Sequence, residues 1–220
     1  MARPYQGYKL NGKKCVGTTT ILSSFGDKGA LIHSANRLGL EGKSINEEWY
    51  TKASNIGTLA HDLFEAYINP KIEPPELTEY DSEAIEKANI AFGSAKEWFK
   101  QSNLEIIDTE VSYVSETHEF GGTIDAIGRS KGSPDNEVHI LDWKTGANIY
   151  GSALFQVAAY SLLIEEFTEY KVTGFHVVRF SKEFGDFVHR YFPELNAQKN
   201  NFPALRKIYS LLKETEKRAR

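Results

Sequence analysis

The stretch Val138-His139-Ile140-Leu141-Asp142-Trp143-Lys144-Thr145-Gly146 sets a carboxylate and an ammonium two residues apart at the end of an apolar run. On a strand, alternate residues share a face, so Asp142 and Lys144 project together with Val138 and Ile140 behind them, while Leu141 and Trp143 face the other way. By the same rule Asp125, in Gly121-Gly122-Thr123-Ile124-Asp125-Ala126-Ile127, can bring a second carboxylate beside Asp142 from the preceding strand. Two close carboxylates repel unless one is protonated or a cation bridges them, and a divalent metal is the economical solution. Magnesium binds through one or two carboxylates, waters and substrate phosphates, which suits phosphodiester cleavage, with Lys144 orienting the attacking water or offsetting transition-state charge. Taken alone, Asp-x-Lys reads first as a surface ion pair worth at most about 1 kcal/mol, and its companions are what favour chemistry.

These residues need strands and helices to hold them. Asn11-Gly12 between short strand-like runs is a type I′ hairpin signal. Helical patterning follows over Thr18–Phe25, Lys28–Leu40 and Ile45–Ile68, interrupted by Gly26, Gly29, Gly39 and Gly42, and predicts helices over one side of a sheet. Residues 69–80, with three prolines, read as a loop. Asp81 or Ser82 can then cap a helix to about Lys100 whose stripe Ile85, Ala88, Phe92, Ala95, Phe99 is core.

The strands Ile106–Ser115, Phe120–Arg129 and Val138–Lys144 suggest an antiparallel meander. Ser152 can cap a helix over Ala153–Phe167, and strands Val172–Ser181 and Phe184–Phe192 precede a final helix over Ala197–Lys217. A helix between strands supplies a crossover, so the expected class is α+β or mixed α/β, with a central mixed sheet flanked by helices.

The chain has 220 residues, 40% hydrophobic and 25% charged, an ordinary globular composition. No window approaches the roughly 20 apolar residues of a membrane helix. Met1–Lys14 lacks the apolar core of a secretory signal, so the expected location is cytoplasmic, with no membrane partner. Cys15 stands alone, which excludes an intrachain disulfide, a Cys-based zinc site and a four-cysteine iron–sulfur cluster. Any metal must sit on oxygen and imidazole.

The net charge of -4 hides a division. Residues 1–45 and residues 196–220 each carry seven basic against two acidic side chains, leaving 12 basic and 26 acidic in 46–195. Such basic ends are either solvated faces or arms that hold a polyanion near an acidic, metal-binding centre. Trp49, Tyr50 and Trp98 fit either core or base stacking.

Gly57-Thr58-Leu59-Ala60-His61, Gly122-Thr123-Ile124-Asp125, Asp142-Trp143-Lys144 and Gln156-Val157-Ala158-Ala159-Tyr160, in that order, resemble the signatures of RecB-like nucleases in the PD-(D/E)xK superfamily. Thr18-Thr19-Thr20-Ile21-Leu22 and the Asn11-Gly12 hairpin are similar to the opening segment of its small phage exonucleases and mitochondrial genome maintenance exonucleases. The resemblance implies that His61, Asp125 and Asp142, with the Trp143 carbonyl, ligate Mg2+ or Mn2+, and that Lys144 is the catalytic lysine. It implies that Glu110, otherwise a solvated surface residue, assists a metal or its water.

Gln156 and Tyr160, one helical turn apart, share a face and read as a buried hydrogen-bonding pair steadying helix against sheet, and the same resemblance implies that they also border the DNA path. His61 would otherwise be a satisfied boundary histidine, with Leu63 and Phe64 packed and Asp62 and Glu65 facing solvent. The implied activity is a metal-dependent DNA exonuclease of one domain over 1–220, its hairpin and helical region 1–68 covering a catalytic core 78–192, with a C-terminal helix 196–218. The implied substrate is single-stranded DNA or DNA ends, with a recombination or single-strand-binding protein as partner, in repair, recombination or phage DNA processing. The alternatives are a non-cleaving DNA-binding module, a structure-specific endonuclease of the same fold and a hydrolase of small phosphate compounds.

Overall fold

The computed structural model describes residues 7–26 and 28–220, with the side chains of Ala30, Trp49 and Tyr50 outside the description. The expectations for Trp49 and Tyr50, and those resting on residues 1–6 and Asp27, therefore lie outside the described residues. The Asn-Gly signal makes its turn: Asn11 and Gly12 have φ of 49° and 76° between β1 (Lys9–Leu10) and β2 (Lys13–Lys14), as a type I′ hairpin requires. The chain then enters β3 (Val16–Gly17) and α1 (Thr18–Ser23).

β5 (Phe120–Ser130) is the axis of a six-stranded mixed sheet. Along one edge runs antiparallel β4 (Leu104–Ser115), and the other edge is shared by parallel β3 at its start and antiparallel β6 (Glu137–Lys144) further on. β7 (Lys171–Phe180) lies parallel to β6 and β8 (Phe187–Phe192) antiparallel to β7. The expected meander is thus β4-β5-β6, and α5 (Gly151–Phe167) is the crossover that a parallel β6–β7 pair needs.

Helices cover both faces. α5, with α1 and α6 (Asn196–Arg218), closes over Ile124, Val138, Ile140 and Val177 to form one core. α3 (Ser54–Ile68) and α4 (Ser82–Gln101) close over Leu141, Trp143 and Val178 to form the other. The alternation of β6 is therefore as its sequence dictates. The helices of 18–68 do not share one side, contrary to expectation: Ile21 and Leu22 of α1 join the α5 core, whereas Ile56, Leu59 and Phe64 of α3 join the opposite one. α2 (Gly29–Leu40) and a π-helical segment, Asn46–Ala53, link them.

Local capping follows the sequence in one helix and departs in another. Asp81 caps α4, its carboxylate accepting from the Ala84 N–H at 2.7 Å, an interaction worth about 1 kcal/mol. The fully buried stripe of α4 is Ala84, Ala88, Ala91, Ala95 and Trp98, with Ile85, Phe92 and Phe99 at its margin; Trp98 is core. Ser152 does not cap α5: the last extended residue is Tyr150, so the helix starts earlier and Ser152 lies inside its first turn, with no side-chain cap. Among the described residues no helix is long and apolar enough to cross a membrane.

Candidate metal centre and cleft

The β5–β6 ladder runs from Gly128↔His139 to Ala126↔Leu141 and stops there. One step on, the Trp143 N–H donates to Asp125 Oδ2 at 2.7 Å, so a side chain replaces the backbone acceptor and the strands part. Asp142 is completely buried. Its Oδ1 accepts from Lys144 Nζ at 2.7 Å. Nζ is equally close to Oδ2, but without hydrogen-bond geometry, and Oδ2 has no hydrogen-bond partner among the described residues. Burial pushes the Asp142 carboxyl up to about 6, a rise moderated by the Lys144 ammonium and reinforced by Asp125.

Lys144 is held from a second side. Its Nζ donates to Gln156 Oε1 at 3.2 Å, and Gln156 Nε2 donates to the Tyr160 hydroxyl at 2.9 Å. Gln156 and Tyr160 stand one turn apart on α5, and Gly122 makes room for the tyrosine: a Cβ there would lie 2.6 Å from Tyr160 Cε1. Burial, then the charges of Asp142 and Asp125, raise the Tyr160 hydroxyl well above the ordinary phenol range. The tyrosine stays neutral and anchors the amide.

From the opposite layer α3 presents Gly57, Thr58, His61, Asp62 and Glu65 along one stripe. Gly57 permits the approach, since a Cβ would sit 2.9 Å from Thr145 Oγ1, just past Lys144. Glu110 on β4 faces Asp125 across the antiparallel register, with φ of 50°, a left-handed conformation costing about 1–3 kcal/mol in a strand residue. One ligand atom each from His61, Glu110 and Asp125 lies within 4.8 Å of the others. Glu65 accepts from the Thr109 hydroxyl at 2.9 Å, which also accepts from Asn69 at 3.0 Å.

These groups line a cleft of about 720 Å³. Asp62, Glu65, Glu73, Glu110 and Asp125 face it, against Lys144 and His61. Two unit charges of one sign about 4 Å apart repel by about 4 kcal/mol at an effective dielectric of 20, so close approach of carboxylates favours protonation or a bound cation. Carboxylate oxygens with one imidazole suit a divalent cation, while the buried Asp142 Oδ2, without a hydrogen bond among the described residues, is ion-paired with Lys144.

The residues anticipated from sequence thus fall into groups. His61, Glu110 and Asp125 converge, while Asp142 stands behind them with Lys144 and outside the triad. Trp143 commits its N–H to Asp125 and buries its indole against Phe64 and Trp98. Gln156 reaches the cleft and Tyr160 backs it. Asp62 and Glu65 line the cleft instead of facing solvent. Helical spacing from His61 carried the signal, since Glu65 is its i+4 neighbour. Thr145 and Glu73 were missed, and only adjacency to Lys144 marked the former.

Residues 33–209 match the sequence model of the PD-(D/E)XK nuclease superfamily. No curated protein matches the chain. Among solved structures, a candidate exonuclease from Eubacterium rectale is similar at 14% identity and a TM-score of 0.45, over 72% of this chain and 64% of that one. This chain therefore spans just under two thirds of that protein's length. SSO0001 is similar at 15% identity and a TM-score of 0.38, over 73% of this chain and 74% of its own. The family match covers most of the sequence and takes in His61, Glu110, Asp125, Asp142, Lys144, Gln156 and Tyr160, so the chain belongs to the PD-(D/E)XK nuclease superfamily.

Proposed function

We propose that this chain is a Mg2+- or Mn2+-dependent deoxyribonuclease, specifically an exonuclease that hydrolyses phosphodiester bonds from DNA ends and prefers single strands. The observation that carries the reading is the approach of His61, Glu110 and Asp125 to within 4.8 Å beside the Asp142–Lys144 pair. In this reading residues 1–220 act as one nuclease domain, because a single sheet is shared by both cores. His61, Glu110, Asp125 and Asp142 hold the metal, with the Trp143 carbonyl a further ligand. When bound, such a metal polarises the phosphate and makes water a better nucleophile at neutral pH.

The protein's own groups do the rest. Asp142 holds Lys144 in place, and Gln156, braced by Tyr160, limits the swing of the ammonium. Lys144 Nζ is thereby fixed at the cleft wall, where it orients the attacking water and offsets charge developing on the phosphate. A pre-positioned cation loses no reorganisation energy at the moment of reaction.

A time course on end-labelled single- and double-stranded DNA, with magnesium or manganese, tests the reading. The expected result is early release of the labelled terminal nucleotide from linear single strands. Internal fragments appearing first would indicate an endonuclease, and binding without cleavage under either metal would indicate a DNA-binding module.

A further inference from the structure

The carboxylate-rich cleft is a poor place to gain affinity for a polyanion, so a DNA strand must be held by cations outside it. The sheet register supplies them. Lys144 pairs with Arg179 on β7 and Asp142 with Val177, while Arg190 on β8 pairs with Val177. Paired residues share a face, so Lys144, Arg179 and Arg190 form a cationic row on the α5 side, crossing strands about 4.8 Å apart.

Beyond Lys144 this row borders a second cavity, of about 410 Å³, lined by segment 147–151, Leu154 of α5 and strands β7 and β8. Among the described residues no carboxylate lines it, and α5 has no acidic residue in its first turn. Arg179 is largely buried and bonded to Asp186 at 3.1 Å, which fixes its guanidinium. Arg190 is exposed, and its guanidinium donates to the His189 carbonyl at 3.5 Å. Tyr150, 60% exposed, lines the same cavity and offers a ring face. Guanidinium groups beside an exposed aromatic are the elements of single-strand binding, in which phosphates meet cations and bases stack on rings.

Building on the nuclease reading, we propose that this cavity is a substrate subsite holding one nucleotide of the strand that runs through the cleft. Arg179 and Arg190 grip its phosphate and Tyr150 stacks on its base. The experiment measures anisotropy of a labelled oligothymidylate in calcium over a salt series, and KM and kcat in magnesium, for wild type, Arg190→Ala, Arg190→Lys and Tyr150→Ala. Both positions are exposed, and equal melting curves establish that the variants fold.

Arg190→Ala should weaken binding about fivefold or more and reduce the logarithmic salt slope by about 0.7, the increment for one single-strand phosphate contact. Arg190→Lys should keep the slope. Tyr150→Ala should weaken binding by a similar factor with the slope unchanged, because stacking releases no counterions. In each weakened variant the loss should fall on KM and not on kcat. Wild-type affinity, slope and KM in Arg190→Ala and Tyr150→Ala would overturn the subsite while leaving a cleaving enzyme intact. A wild-type protein that neither binds nor cleaves DNA would overturn the nuclease reading and the subsite with it.

Discussion

Asp142 and Lys144 touch each other, yet their removal should act on stability in opposite directions. Asp142 is fully buried with its carboxyl raised to about 6, so its ionised form is held in the fold at a cost. Asp142→Asn keeps the shape and removes that charge. It should leave the metal-free melting temperature unchanged or higher and abolish cleavage. Lys144→Ala leaves the buried carboxylate without its ammonium and should lower the melting temperature, as expected of a broken buried pair. It should also reduce turnover by at least about a hundredfold. Calorimetry and cleavage assays on the two variants check both signs, and wild-type turnover by either would defeat the catalytic assignment. The pairing of these residues was legible in the sequence because a strand's period of two leaves no other arrangement. The conformation of Glu110 was not: a φ of 50° within an otherwise continuous stretch of strand register leaves no trace in single-sequence periodicity.

At the scale of elements, the distance between α3 and the end of β6 decides whether His61 reaches the carboxylates. Gly57→Ala would place a Cβ 2.9 Å from Thr145 Oγ1 and push the helix outward. Because alanine raises helix propensity by about 1 kcal/mol, the melting temperature should barely move, while the manganese affinity read by calorimetry should fall about tenfold. Adding Thr145→Ala should restore it. A second arrangement of elements lies away from the cleft, where register across β6, β7 and β8 aligns three histidines that nothing in their spacing links. His139 Nδ1 and His176 Nε2 are 2.9 Å apart, as are His176 Nδ1 and His189 Nε2. Gly174 leaves room for the His139 ring, since a Cβ would lie 2.8 Å from its Cδ2. Burial, with His139 and His189 adding to it, lowers His176 to about 3. The unfolded chain therefore takes up this proton first, and stability should fall as pH drops from about 6.5 toward 3. Asp142 acts oppositely, its folded carboxyl holding a proton between 3.8 and about 6 that the unfolded chain has released. Thermal melts from pH 7 to pH 5 in an Asp142→Asn background isolate the histidine effect, and His176→Phe should flatten the decline.

Over the whole molecule, the charge division visible in the sequence is partly cancelled by folding. Lys199 meets Glu165 and Arg206 meets Glu119, so two cations of the C-terminal end are paired with carboxylates of the acidic middle. A count of charges along a chain cannot reveal this, because partners such as Arg206 and Glu119 come together only through the fold. Access to the cleft therefore depends on shape as well as on attraction. α1 lies in one layer and α3 in the other, so the connection through α2 and the π-helical segment passes round the sheet, and its last residue, Ala53, lines the cleft with Ser54. Glycines at 26, 29, 39 and 42 flank or interrupt α2, and Gly42 has φ of 72°, a bend that other residues resist. On the proposed exonuclease reading, the substrate strand passes beneath this connection and has to enter by a free end. Linear single-stranded DNA should accordingly be shortened progressively with magnesium, while covalently closed circles of the same sequence survive. Incubating both forms with the protein and following the products on a denaturing gel decides the matter. Equal initial cutting of circles and linear strands would remove the threading requirement and leave an open cleft acting as an endonuclease. Preferential attack on duplex ends would retain end dependence but assign the cleft to double-stranded DNA.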